Sequence, residues 1–422
     1  MKNTSVVPDG WSIVSLGDVL QYEQPYYYTV TTDDYNDIAG TPVLTAGKSF
    51  LLGYTTEVEN VYNNLPVIIF DDFTTDSKFV DFPFKVKSSA MKFLKPKEEN
   101  VIDLRLIFEF IQKLKISVAN ADHKRRWISE FSKIKILIPS YPEQQQIAKI
   151  LSTADAVIEK TQAAIAKYKA IKQGMLQDLF TRGIDLNTNK LRPRYEDAPE
   201  LYKESKLGMI PVEWNEKVFG EEVDLIHGHQ FRDYDFTEFG IPVVKIGQVK
   251  PENVDLSSCS FVAYGREDEF QNEIIRNGDV LMALTGATLG KACLVKGLNG
   301  IVLQNYRVGR FEPIIKENDI DKEFLYYLLI AGDLLTQIFN KVNTGAQGNI
   351  GKADFEKATF KKPPFDEQQK IAERLKSIDN KLQTEQTYLQ KMQSLKKGLM
   401  EDLLSGKKQV KVAEEVLTQS EN

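Results

Sequence analysis

The sequence predicts an α+β protein: two globular mixed α/β domains separated by two long helices that pair as an antiparallel coiled coil, with an internal pseudo-two-fold repeat. Three observations predict it. The stretch EQQQIAKIL, from Glu143, returns 224 residues later as EQQKIAERL, from Glu367. Each copy opens an apolar seam, through Ile147, Leu151, Ala154, Ile158, Ile165, Tyr168, Met175 and Leu179 in one and Ile371, Leu375, Ile378, Leu382, Leu389, Met392, Leu399 and Leu403 in the other. The steps are four and three, or seven where one position of the seam is skipped, the period of a helix that buries its seam against a partner. A fainter repeat lies upstream at a shorter offset, which places a globular region before each helix.

In chain order, residues 1–141 read as the first globular domain. VPDGWSIVSLGDV, from Val7, resembles IPVEWNEKVFGEE, from Ile210, with Trp11 over Trp214 and Gly17 over Gly220. TPVLTAG at 41 matches IPVVKIG at 241, and LPVIIFDDFTTDSKFV at 65 lies on GDVLMALTGATLGKACLV at 278 with Lys78 over Lys291. Their β-branched, alternating character predicts short strands and turns. LRLIFEFIQKL at 104 and KEFLYYLLIAGDLL at 322 each read as one amphipathic helix. The first long helix spans 142–183 and the second 366–406, with Pro139, Pro142, Pro363 and Pro364 at their starts and TRG or SG at their ends. Helical runs of about 38 residues, 142–180 and 366–404, give each a length of roughly 57 Å. Ile147, Leu151, Ile158 and Ile165 on the first helix, and Ile371, Leu375, Leu382 and Leu389 on the second, are the residues expected at the helix-helix contact. The polar stretch 184–208 reads as a linker, 209–365 as the second globular domain, and 407–422 as a frayed tail.

Composition bounds the function. A chain of 422 residues, 42% hydrophobic and 27% charged, builds ordinary cores. Cys259 and Cys293 match no zinc or redox spacing, and no apolar run is long enough to span a bilayer. A soluble, cytoplasmic protein is expected. The net charge of −6 argues against a protein that coats nucleic acid but leaves room for local basic loops.

Enzyme readings fare badly. GATLGKA at 286 has three residues between its glycines and Ala292 after the lysine, where a phosphate loop needs four and a Ser or Thr. KPPF at 362 has Lys362 where an amino-methyltransferase loop has Asn. The carboxylates of DDF at 71 read as solvated loop chemistry, His227 and His229 lack a third ligand, and YYY at 26 reads as packing. No catalytic, cofactor-binding or metal-ligating residues are assigned.

Nucleic-acid contact is a better reading. NADHKRRWISEF, from Asn120, falls on GAQGNIGKADF, from Gly345, under the helix offset. Lys124, Arg125 and Arg126 suit phosphates or the O6 and N7 atoms of guanine, and Gln347, Asn349 and Lys352 suit adenine and backbone. Thr45, Lys48, Lys78, Lys245, Gln248, Thr285 and Lys291 are further candidates at strand ends. Divergent domains on matching helices, set at a fixed separation, suit duplex DNA. The alternative is a coiled-coil scaffold carrying two protein-binding domains.

The order of a PxxW entry, the TGATLGK segment, the TGAQGNI loop and the PPxxEQxxIA entry to a long helix resembles the specificity subunit of a type I restriction-modification system, to about residue 406. The resemblance implies two target recognition domains reading the halves of an asymmetric bipartite DNA sequence across a spacer set by the helices. It implies a non-catalytic chain that docks two methyltransferase subunits and restriction/translocase subunits. S-adenosylmethionine, ATP and Mg then belong to those partners, with no cofactor in this chain. The first domain departs from the pattern, with DHKRRW where the second has TGAQGNI.

Overall fold

The computed structural model describes residues 7–45, 49–114, 125–315, 317, 319–340 and 348–411. Two compact units emerge: residues 1–163 with 386–422, and residues 164–385. Each contains the first half of one long helix and the second half of the other.

In the first unit the central sheet has the strand order Leu20–Glu23, Met91–Pro96, Val67–Asp71, Ser77–Val80, all antiparallel. The run VIIF is apolar throughout because both faces are covered. Ile68 and Phe70 pack with the helix Leu104–Lys113 and both long-helix segments, while Val67 and Ile69 pack with Tyr62, Phe84 and Phe93. A second sheet orders Leu51–Thr55, Thr41–Leu44 and Lys85–Val86. Strand Ser12–Ser15 pairs with Lys135–Ile138, which leads into the first long helix, Tyr141–Thr181.

The second unit repeats the plan. Its central sheet runs Val223–His227, Val308–Pro313, Val280–Ala283, Ala292–Leu294, the order of its counterpart. Strand Asn215–Val218 pairs with Thr359–Lys362, which leads into the second long helix, Phe365–Leu403. The short helices are capped alike: Asp103 accepts from the Leu106 amide and Asp321 from the Phe324 amide.

The duplicated EQQ peptide has a structural use. Gln144 donates to the Val101 and Pro139 carbonyls at 3.0 Å and accepts from the Asp103 amide at 2.9 Å. Gln368 donates to Asp319 and Pro363 at 2.9 and 3.0 Å and accepts from Asp321 at 3.0 Å. Each glutamine closes the junction of sheet, short helix and long helix, and a buried amide so satisfied costs little.

The long helices run antiparallel. In the first unit Ile147 and Leu151 share a core with Leu403 and Leu404, and Lys396 meets Asp155 at 2.6 Å. In the second, Leu176, Leu179 and Phe180 share a core with Ile371 and Leu375, and Lys172 meets Asp379 at 2.6 Å. Asp155 and Asp379 are repeats of one position, as are Lys172 and Lys396, so each aspartate takes the other copy's lysine. That reciprocity is what a two-fold relation requires. Ile165 and Leu382 are buried along the seam, whereas Ile158 and Leu389 are half-buried.

Two expectations are corrected. The stretch 184–208 is not a plain linker: Ile184–Asp185 pairs with Lys190–Leu191, and Tyr202–Ser205 with Gly208–Pro211. Its first part is drawn to Glu367, fully buried at the helix entry, whose charge must be met. Arg192 grips it with two bonds, 2.5 and 3.0 Å, joined by the Trp214 indole at 3.0 Å and the Ile184 amide at 2.7 Å. Gly183, at φ +65°, leaves the space, since a Cβ there would lie 2.1 Å from the carboxylate. The tail is also tied as far as it is described, with the Val410 amide donating to Glu143 at 3.0 Å and Gln409 to the Asp9 carbonyl at 3.2 Å. Residues 412–422 lie outside the described residues.

Two outcomes follow from these partners. Arg192→Leu strands a buried carboxylate and lowers stability by about 3–5 kcal/mol, while adding Glu367→Gln restores much of it; calorimetric unfolding of the full chain reads both. Glu57, held by the Lys85 ammonium and by the amides of Thr31 and Thr32, has its carboxyl drawn down from 4.5 to about 2. A depressed carboxylate stabilises the fold above its usual value and loses that contribution as pH falls toward 2. Glu57→Gln should therefore flatten the acid side of the Tm profile between these values.

Candidate nucleic-acid interface

In each unit the end of one central strand lies against the loop that enters a short helix, which brings two sequence-distant turns together. In the second unit the Ile350 amide donates to the Leu284 carbonyl at 2.9 Å, Thr285 bridges to Asn349, and Thr285 Oγ1 donates to the Gly348 carbonyl at 3.4 Å. Thr288 Oγ1 donates to the Ile246 carbonyl at 3.2 Å, which adds the turn Ile246–Gln248. Gly286 and Gly290, at φ +75° and +79°, allow the turn between these contacts. The amides of Leu289, Gly290 and Lys291 all bond to the chain's own carbonyls, so they do not face outward as a phosphate cradle would.

Thr285, Gln248 and Asn349 thus share one group of loops, with Lys291 exposed at the end of the turn and Lys352 at the start of the helix Lys352–Glu356. Their freedom differs. Asn349 is exposed. Lys352 pairs with Asp224, whose carboxylate holds the ammonium above the usual lysine range. Lys245 donates to Ser260 Oγ at 2.8 Å and lies 4.0 Å from the Phe236 ring. Gln248 accepts from the Lys245 amide and donates to Ser258, so both of its amide atoms hold the turn. Gln347 lies outside the described residues.

In the first unit the equivalent tie carries charge. The Arg126 amide donates to the Asp72 carbonyl at 3.3 Å, and the Trp127 amide to Asp72 Oδ1 at 2.9 Å. Asp72 Oδ2 meets Lys92 at 3.0 Å, with both side chains buried. Asp71 caps its own turn through the Phe73 and Thr74 amides. The DDF carboxylates are therefore structural, and Asp72 is not solvated as expected, because it neutralises an inward lysine. Trp127 is buried against Phe70, with ring centroids 5.5 Å apart, and this fixes the rotation of the short helix Arg126–Ser129. Arg126 is turned inward beside Glu130, at 3.4 Å, and Arg125 outward. Lys78 lies 5.6 Å from the Phe50 ring, and the Thr45 amide donates to the Phe50 carbonyl, so Lys78 and Thr45 share a neighbourhood. Lys48 and Lys124 lie outside the described residues.

Sequence reasoning passed over the loop Asn305–Arg307, whose single charge gave no cluster to notice. The Leu284 amide donates to the Arg307 carbonyl at 3.0 Å, which places this loop beside Thr285. Of the weaker motifs, Lys362 is consumed by Glu222 and Asp319, His229 packs against Phe231 and Phe270, and Tyr28 packs on Tyr62 while Tyr26 and Tyr27 are exposed. Among the described residues, no group of three or more His, Cys, Asp and Glu is placed to hold a metal ion, and no helix is long and apolar enough to cross a membrane.

The repeat is matched by known proteins. The family model described as "Type I restriction modification DNA specificity domain" matches twice, at residues 8–168 and 211–394. The specificity subunit of the type I restriction enzyme MjaVIII of Methanocaldococcus jannaschii is 29% identical over 417 residues, covering 96% of this chain and 94% of that protein. The EcoR124I/EcoR124II specificity subunit of Escherichia coli is 39% identical over 209 residues, 49% of this chain and 46% of that protein. The crystal structure of the S subunit of a type I restriction-modification system from M. genitalium shares the fold, with a TM-score of 0.65 at 14% identity, over 96% of this chain and 98% of that one.

Asp72→Ala removes the cap on Trp127 and strands the buried Lys92 ammonium, at a cost of about 3–5 kcal/mol. Lys92→Met in the same chain should recover stability without restoring the cap. Thermal unfolding separates the two contributions, and the protease sensitivity of the Arg125 turn reports whether the cap alone positions it.

Proposed function

The chain belongs to the family of type I restriction-modification DNA specificity subunits, and from that premise we propose how its two halves divide the work. It is a DNA-binding subunit of a type I complex, not the catalyst. Residues 1–141 and 209–365 act as two target recognition domains, each reading one half of an asymmetric, bipartite DNA sequence. The long helices set the spacer between the halves. They also dock two methyltransferase subunits, because the duplicated helix presents two similar surfaces. Restriction/translocase subunits join through that assembly, and S-adenosylmethionine, ATP and Mg are used in the partners. The compartment assigned is the cytoplasm.

One observation carries this reading: a single backbone arrangement presents different chemistry in the two halves. The strand end at Asp72 is tied to the loop bearing Arg125, and the strand end at Leu284 to the loop bearing Asn349. Around these unlike loops, the helix entries keep the same glutamine bonds and the same reciprocal Asp–Lys pairs. Invariant supports under divergent loops suit a subunit whose partners stay constant while its two targets differ. The exposed Arg125 offers a guanidinium for guanine or phosphate, and Asn349 an amide for adenine.

Exchange of residues 1–141 for the corresponding region of a related subunit should change one half of the methylated motif and leave the other half and the spacer intact, as read by methylome sequencing. A change in spacer alone would overturn the division. In the assembled complex, Arg125→Ala should cost about 1–3 kcal/mol and relax one position if the arginine reads a base. Uniform weakening, with a salt slope lower by about one, would make it a phosphate contact. Sedimentation at saturating methyltransferase should give two copies per chain, and one copy would contradict the docking model.

A further inference from the structure

Resting on the reading of residues 209–365 as a DNA-reading domain, we propose that Arg307 reads a guanine in the half-site of that domain. Its loop joins the strands Leu303–Gln304 and Val308–Pro313. The backbone there is pinned at every residue. Asn305 donates to the Val244 carbonyl at 3.0 Å, Tyr306 to His229 at 2.9 Å, and Val308 to Asn305 at 2.9 Å. The Arg307 amide donates to Asn305 Oδ1 at 3.3 Å, and its carbonyl accepts from Leu284 at 3.0 Å. Because Leu284 in turn accepts from the Ile350 amide, Arg307, Leu284 and Ile350 lie on three adjoining backbone segments. Arg307 therefore stands beside Thr285 and Asn349.

The side chain is prepared for an end-on contact. Arg307 is exposed, its Nε donates to Tyr306 OH at 2.6 Å, and its guanidinium carbon lies 5.2 Å from the Tyr306 ring centre. Among the described residues its two terminal nitrogens carry no hydrogen bond or ion pair. With Nε already used, the fork left open is the pair Nη1 and Nη2, whose parallel N–H groups match O6 and N7 of guanine. Lys352 and the amide of Gln248 have partners within the protein, whereas the Arg307 fork stands open. Holding the guanidinium against Tyr306 before binding also reduces the ordering cost on contact.

The test uses the complete complex and duplexes built on the motif that the wild-type complex methylates, with every single-base change and at two salt concentrations. Arg307→Ala should lose on the order of tenfold or more at one G·C pair of the half-site assigned to residues 209–365, accept other pairs there nearly equally, and leave the other half-site unchanged. Arg307→Lys, which keeps the charge but not the fork, should relax the same position. Equal weakening across all duplexes with a lower salt slope, or no change in preference, would overturn the assignment. Thr285→Val and Asn349→Ala in the same panel separate the two levels. If they alter this half-site and the Arg307 variants do not, only the role of Arg307 falls. If none alters it, the reading of this loop face falls as well.

Discussion

A carboxamide buried at the mouth of each long helix governs the architecture. Gln144 and Gln368 must find partners for donors and acceptor that water no longer reaches, and they find them on the proline that follows the strand before the helix and on the turn before the short helix. Sheet, short helix and long helix are thereby joined at one side chain. Glu367 adds a second obligation in the second unit, since its buried charge draws in Arg192, the Trp214 indole and the Ile184 amide. A direction of helix exit fixed in this way lets a domain change its loops without changing how it meets its helix.

The same rigidity explains the loops. Strand ends that bond to the loops before Arg126–Ser129 and Lys352–Glu356 set where Arg125 and Asn349 emerge, and those bonds are between main-chain atoms or to a buried aspartate. Side chains at the tips are then free to vary. A reader of this kind recognises its target by what hangs from a scaffold, and the scaffold itself carries no preference for sequence.

Legibility followed the range of the interaction. The duplicated EQQ peptide and the 3.5-residue seams are patterns written in the chain itself, and they gave the long helices and their antiparallel pairing. The equivalence of the KRRW and GNIGK loops was visible because the same offset aligns them. What stayed hidden were partners far apart in the chain. Arg192 and Glu367 made 184–208 look like a polar linker, and Asp72 and Lys92 made DDF look like a solvated turn. Burial of Arg126 could not be told from exposure of Arg125, because the rotation of one helical turn is set by the packing of Trp127. Lys245 and Gln248 resembled free polar ends, yet neighbouring turns consume them.

The reciprocal aspartate–lysine pairs bear on how such a chain could drift apart after its halves were duplicated. Around Asp155 and Lys396 stand Arg105 and Glu109, both reaching that pair. Around Asp379 and Lys172, the positions of Arg105 and Glu109 are held by Glu323 and Tyr327, and Lys376 meets Glu323 where the first half has Ser152. A cation has become an anion, an acid a phenol, and a hydroxyl an ammonium, yet formal charge in each cluster still cancels. The side chains differ between the two clusters, while formal neutrality is common to both. The charge balance of each domain is thus completed by side chains of the long helices, Asp155 and Lys396 in one unit and Asp379, Lys172 and Lys376 in the other, so the helices act as electrostatic partners of the domains as well as spacers.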